Sequence, residues 1–270
     1  METFLASDAD VVTQLSSLDV FDYIVVGSGI GGGILAEELL KKGNKNVLLI
    51  EKGDATFSTH VCNTARPSFT RGRQDSPEGN ETIYNKLKSW VQTAEDSEPY
   101  VGGPLHCLGG RSVVWGTWIP RTDEKTLDDH FPAAVARDLK TKWFHEAFHL
   151  VTNNSQKEKV YPEGYIDVQE LNTSKAELTE AIKPFMLENH PVQLGPVAIE
   201  FHSPSPYRFP QGAYSTAVPL LNRIYSRDRR LTVLLNTEVL KVDFTRSKLE
   251  SGAAKYESLQ LFMNDTYLVL

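Results

Sequence analysis

Cysteine is nearly absent from this chain, with Cys62 and Cys107 the only two among 270 residues. Two cysteines make no disulfide framework, and no metal-ligand spacing connects them, so both are expected to be free thiols, buried or half-buried. Long apolar runs are missing as well, and nothing reaches the ~18 residues of a membrane-spanning helix. There is no basic excess: 28 Lys and Arg stand against 35 Asp and Glu, a net charge of −7. That balance lacks the electrostatic footprint of a nucleic-acid binder. The first twenty residues carry Asp8, Asp10 and Asp19 and no apolar core, which is not the composition of a secretory signal. They read as an uncleaved, loosely ordered lead, and the cytoplasm is the expected location. The sequons at Asn80, Asn153, Asn172 and Asn264 are then chance occurrences. What remains, 40% hydrophobic and 23% charged, is ordinary globular composition. The length suffices for one large domain or two small ones.

Against this background one stretch stands out. Asp22-Tyr23-Ile24-Val25-Val26 is a short apolar run, followed by Gly27-Ser28-Gly29-Ile30-Gly31-Gly32-Gly33, a helical stretch ending at Lys41-Lys42-Gly43, and a second apolar run, Val47-Leu48-Leu49-Ile50-Glu51. The pattern reads strand, glycine turn, helix, strand, with both strands covered on their two faces. Gly27 suits a tight turn, Gly29 lets backbone approach a pyrophosphate, and Gly32 lets the helix approach the sheet. A pyrophosphate would sit at the helix N-terminus, where N–H groups and the dipole favour negative charge. Lys41 and Lys42 complement the opposite end, and Gly43 suits the stop. Glu51 follows Gly27 by 24 residues, close to the ~20 at which an acid accepts ribose hydroxyls. Such a carboxylate disfavours the 2′-phosphate of NADP.

Beyond Asp54 a long polar excursion, 55–103, is expected at the surface with one short helix near Thr82–Trp90. A second glycine-rich block follows: Val101-Gly102-Gly103-Pro104-Leu105-His106-Cys107-Leu108-Gly109-Gly110-Arg111-Ser112-Val113-Val114-Trp115-Gly116-Thr117-Trp118. Its glycines, hydroxyls, arginine and tryptophans suit packing around a large planar or anionic ligand, although an ordinary buried loop would use the same residues. Pro132–Leu139 and Lys140–Val151 have helical periodicity. Within the second segment, His145-Glu146-Ala147-Phe148-His149 matches the zinc-protease HExxH. No third ligand follows at a persuasive spacing, so an amphipathic helix with two histidines is the preferred reading and no metal is expected. Ser174-Lys175-Ala176-Glu177 is a capping box for a helix that Pro184 kinks or ends. Residues 191–210, with prolines at Pro191, Pro196, Pro204, Pro206 and Pro210, form an irregular crossing, and His190 and His202 are taken as structural or solvent histidines. Thr232–Phe244, Ser258–Met263 and Thr266–Leu270, with a turn at Asn264-Asp265, alternate like a β-meander.

Taken together, these motifs resemble the glucose–methanol–choline (GMC) oxidoreductases, flavoproteins that oxidise alcohols. The resemblance rests on Asp22 to Gly53, on Gly109-Gly110-Arg111-Ser112 to Gly116, and on Gly212-Ala213-Tyr214-Ser215-Thr216-Ala217 followed by Arg229 to Val242. It implies an α/β fold: a Rossmann-like FAD-binding domain, with parallel sheet and β-meander, and a partial, truncated substrate-side region. The expected division is a lead at 1–20, FAD-binding segments at 21–125 and 206–270, and a partial substrate or cap region at 126–205. The cofactor contacts implied are Gly27, Ser28, Gly29, Ile30, Gly31, Gly32, Glu51, Lys52, Gly109, Gly110, Arg111, Ser112, Trp115, Gly116, Thr117 and Val239, the last touching adenine by its backbone. Trp115 stands where the family usually has asparagine. Val114 stands where some members attach flavin through histidine, so FAD is expected to be non-covalent.

The resemblance also implies a chain about twice as long, with the catalytic histidine in a C-terminal half, so no catalytic residue is assigned among the seven histidines here. Three functions stay open. The first is oxidation of a small-molecule alcohol by hydride transfer to flavin; the second is a non-catalytic nucleotide-binding remnant, or half of a split complex. The third, an NAD-dependent Rossmann dehydrogenase, accounts for the opening motif but not for the second glycine block.

Overall fold

A computed structural model of the chain describes residues 5–6, 21–63, 87–89, 93–97, 103–152, 176–178, 180–181, 183–185, 197–200, 209–246, 254–263 and 265–269. Most of the N-terminal lead and of the polar excursion, the asparagines of all four sequons, His190, His202, Ser174 and Lys175 of the expected capping box, and most of the proline-rich crossing lie outside the described residues. In chain order the elements are β1 (Leu5–Ala6), β2 (Tyr23–Val26), α1 (Ile30–Lys42), β3 (Val47–Ile50), a 3-10 turn Gly110–Val113, α2 (Glu124–His130), α3 (Ala133–Asp138), a π-helical turn Leu139–Trp143 and α4 (Phe144–Thr152). Then come β4 (Ile199–Glu200), β5 (Gly212–Ala213), α5 (Ala217–Tyr225), β6 (Leu231–Leu234), β7 (Thr237–Arg246), β8 (Ala254–Met263) and β9 (Thr266–Val269). Two compact units result, Met1–Val114 with Ser215–Leu270, and Trp115–Tyr214. No helix among the described residues is long and apolar enough to cross a membrane.

The first unit is α/β. Its sheet is parallel, in the order β1-β6-β3-β2. In the central strand β3, Val47, Leu48 and Leu49 are fully buried and Ile50 nearly so, and alternation sends them to opposite faces. Val47 and Leu49 join Leu231 and Val233 of β6, Ala36 and Leu40 of α1, and Leu220 and Leu221 of α5 in one core. Leu48 and Ile50 join Leu234 with Leu261 and Met263 of β8 in the other. An uninterrupted apolar strand is therefore required, because helices cover one face and the antiparallel sheet β7-β8-β9 covers the other. Each fully buried aliphatic side chain contributes about 1.5–3 kcal/mol. The neighbouring β2 departs from the expected double cover, since Tyr23 is 43% and Val26 55% exposed. It lies at the border of the described sheet, and Val26 faces the cavity described below.

The stretch read as one strand from Thr232 to Phe244 breaks at Asn236, whose φ is 52°. Asparagine tolerates this left-handed conformation better than most residues. There the chain leaves the parallel sheet, with Asn236 N–H donating to Gly53 O and Thr237 N–H to Glu51 O, and enters the meander. Of the turn expected at Asn264-Asp265, Asn264 lies outside the described residues; Asp265 is at φ 61°, and Met263 of β8 stands opposite Thr266 of β9.

Helix α1 stops where expected, with Gly43 as its C-cap in extended conformation. The terminal carbonyls are met by Arg230, whose Nη1 donates to Leu40 O at 2.9 Å and to Gly43 O at 3.1 Å. Asp228 anchors that guanidinium at 2.7 Å and also accepts from Arg223, which grips Glu37 of α1 with two nitrogens.

The second unit contains α2 to α4 and the short antiparallel pair β4–β5. Asp123 caps α2 by accepting from Thr126 N–H at 2.9 Å. The two helices expected from Pro132 to Val151 are present as α3 and α4, fused by the π turn. Pro184 falls inside a 3-10 turn, Lys183–Phe185.

Replacing Arg230 with alanine removes both carbonyl partners of α1 and should lower unfolding free energy by about 1–3 kcal/mol in urea titrations. Hydrogen bonding from Arg230 foremost, and from Arg223, holds the Asp228 carboxyl well below its ordinary range. A depressed folded-state pKa stabilises above the unfolded pKa of about 3.9 and is lost as pH falls through that value toward the folded one. Stability of the wild type should therefore decline below about pH 4, and Asp228→Asn should flatten that acid limb at a lower starting stability.

Candidate functional site

The glycine turn between β2 and α1 is built by close approach. Gly27 sits at φ +85° and its N–H donates to Ile50 O at 2.7 Å. A Cβ on Gly32 would lie 1.9 Å from Gly27 O, so no larger residue fits where the helix turns back on the loop. Gly29 and Gly31 meet nothing within 4 Å on that side. Gly29 is the N-cap of α1 and supplies no side-chain cap, and the first turn holds no acidic residue. The N–H groups at this helix start are thus left for a ligand, with the dipole adding positive potential.

One buried hydroxyl ties this turn to the rest of the unit. Ser28, fully buried, donates through Oγ to Glu51 Oε2 at 2.6 Å and accepts from Gly109 N–H at 2.9 Å. Glu51 Oε2 also accepts from Ser28 N–H, and Oε1 from Gly53 N–H, both at 2.9 Å. Gly109 in turn accepts from Ser112 Oγ at 2.5 Å, and Ser112 Oγ accepts from Thr216 N–H at 3.0 Å. Thr216 Oγ1 closes the ring by donating to Ser28 O at 2.7 Å. The second glycine block is therefore seated on the first. Gly110, at φ +52°, would place a Cβ 2.9 Å from Gly29 Cα.

Between these pieces lies a cavity of about 490 Å³, within the usual ~300–1,000 Å³ of small-molecule sites. It opens at the carboxyl ends of β2 and β3, where open parallel sheets bind ligands. Of the residues implicated by sequence, Gly27, Gly29, Ile30, Glu51, Lys52, Gly110, Arg111, Ser112 and Val239 line it. Ser28 and Gly109 stand behind the lining in the hydrogen-bond ring, and Gly31 and Gly32 continue the helix start. Trp115, Gly116 and Thr117 belong to the second unit. There Trp115 Nε1 donates to Tyr214 O at 2.9 Å, and Thr117, at φ 57°, accepts from Ala198 N–H.

Sequence reasoning missed several lining residues: Val26, Ile50, Pro104, Leu105, His106, Thr237 and Glu238. Lys52 pairs with Glu238 at 2.7 Å, and His106 Nε2 lies 2.5 Å from Ser89 Oγ. Burial, then the Lys52 ammonium, lowers the His106 pKa, which keeps the imidazole neutral. Cys107 packs against the same turn, and burial, then the Glu51 carboxylate, pushes its thiol up to about 12. It is a protonated core group and no nucleophile. Cys62 is exposed and free.

No family model matches the chain, and no curated protein matches it in sequence. Solved structures do. Pyridoxine 4-oxidase from Mesorbium loti aligns at a TM-score of 0.51 and 16% identity, over 93% of this chain and 47% of that one. The chain shares its fold with that glucose–methanol–choline oxidoreductase. A structure concerned with FAD modification in Aspergillus oryzae RIB40 formate oxidase aligns at a TM-score of 0.48 and 16% identity, over 92% of this chain and 43% of that one. The chain thus spans about half the length of the solved structures it matches.

Two glycine substitutions separate fold from site. Gly32→Ala should destabilise the unit, because its Cβ meets backbone. Gly29→Ala should leave the melting temperature near that of the wild type yet weaken binding of ADP at least tenfold, as read by calorimetry. Ser28→Ala, which strips a partner from both buried Glu51 and Gly109 N–H, should cost about 1–3 kcal/mol in denaturant.

Proposed function

We propose that this chain holds FAD without a covalent bond and is the dinucleotide-binding part of a GMC-type oxidoreductase that oxidises the CH–OH group of a small alcohol. The observation that carries the proposal is the cavity at the start of α1, seated against the second glycine block, in a fold shared with pyridoxine 4-oxidase. The residues fit the ADP half of such a cofactor. The first-turn N–H groups of α1 and the Arg111 guanidinium suit the pyrophosphate. Glu51 keeps lone-pair capacity on Oε1 beyond the bond from Gly53, and that suits a ribose hydroxyl. Glu51 and Glu238 together disfavour an added 2′-phosphate. Val239 borders the cavity, and the resemblance sets adenine against it.

When bound, the flavin supplies the hydride acceptor, and the protein supplies orientation and a base. Val114, one residue beyond the 3-10 turn, offers no nucleophile for covalent attachment. His106 lies beside Lys52, Glu51 and Glu238, at the end suited to ribose, and is not assigned as the base. A second reading has the chain as a nucleotide-binding part whose reactive groups come from another polypeptide. An NAD-dependent dehydrogenase would use the same cradle.

Purified protein distinguishes the three. Flavin absorbance that an alcohol bleaches under anaerobic conditions, with the pigment released by acid precipitation, is the expected result. Bound flavin that no alcohol reduces would favour the binding part, and tight NAD binding without flavin would replace the proposal with the dehydrogenase.

A further inference from the structure

The HExxH segment is not absorbed by the nucleotide site. It occupies α4, where His145 and His149 are one helical turn apart on the same face. Their Nε2 atoms are 3.0 Å apart, with the rings at 83° and their centres 4.1 Å apart. A head-on N–H···N hydrogen bond would hold the ring centres roughly 5 Å apart, one donor–acceptor distance plus two ring radii. The rings meet edge to face, so the contact is a bent hydrogen bond between the two Nε2 atoms. Two metal–nitrogen bonds of ~2.0–2.1 Å meeting near a right angle span about 3 Å, so a metal ion fits in place of the shared proton.

We propose that His145 and His149 form a two-histidine chelate for a divalent first-row transition metal on the exposed face of α4. Among the described residues no third His, Cys, Asp or Glu joins the pair, so the chelate rests on these two imidazoles. Water completes the coordination. The Nδ1 of His149 is buried with no hydrogen-bond partner among the described residues, so the chelate lacks there the outer hydrogen bond that strengthens most histidine ligands. The site is accordingly weak and exchangeable, and affinity should follow the general order for imidazole, with Cu(II) above Ni(II) and Zn(II). The proposal is independent of the flavin reading.

The test uses the full chain, free of any polyhistidine tag, titrated separately with copper, nickel and zinc salts. One Cu(II) should bind per chain, with two imidazole nitrogens in its electron paramagnetic resonance spectrum. His145→Gln and His149→Gln should each weaken copper binding at least tenfold and reduce the nitrogen count, whereas His130→Gln, on a different helix, should change neither. Wild-type protein that takes up no copper, or variants that bind it as the wild type does, would overturn the proposal. The wild-type spectrum decides the matter even if a variant fails to fold.

Discussion

The first unit depends on one hydroxyl, that of Ser28, held between the Glu51 carboxylate and the Gly109 amide. Burying a carboxylate is costly unless its oxygens are met. Here Ser28 and Gly53 meet them, and Ser28 passes its remaining capacity to Gly109. An acid that could serve only as a ribose acceptor is thus also the anchor of the turn. The same bonds fix how near the second glycine block comes to the first, and therefore the width of the cavity.

That arrangement explains why small residues gather at the site. Gly32 removes a clash inside the turn and Gly110 removes one between the blocks, while Gly29 leaves open space. Ligand approach and internal packing are separate demands on neighbouring glycines. Charge is divided in a similar way. Glu51 is consumed mostly by the protein, whereas Lys52 and Glu238 neutralise each other at 2.7 Å on the border of the cavity. Arg111, which lines the cavity, donates to Gly103 O at 2.7 Å, using one of its five N–H groups.

The strand–turn–helix–strand unit was legible because every signal for it is local: apolar runs, glycine spacing, and an acid at the end of β3. Double cover of β3 followed from its unbroken apolar run, but the same pattern in β2 misled, since exposure depends on neighbours that lie far away in the chain. The stop at Gly43 was legible, but the partner of the last carbonyls was not, because Arg230 is remote in sequence and carries no helix-capping signature. Thr216 and His106 were invisible as site components, because a hydroxyl or an imidazole declares nothing until the fold places it beside Ser28 or Lys52. The break at Asn236 had a signal, a residue tolerant of positive φ inside an alternating run, yet alternation on both sides of it concealed the change of sheet.

The ring of bonds through Ser28 has a consequence for the order of assembly. The segment from β2 to β3 closes over short range, whereas Gly109 and Thr216 arrive from 81 and 188 residues beyond Ser28. Loop closure over such separations is slow, and its entropy is lost before the contacts repay it. The helix and its flanking strands thus precede the cradle, and the ligand site is a late product of folding. A nucleotide that recognises only the finished cradle acts as a clamp on the native topology, raising stability with its concentration.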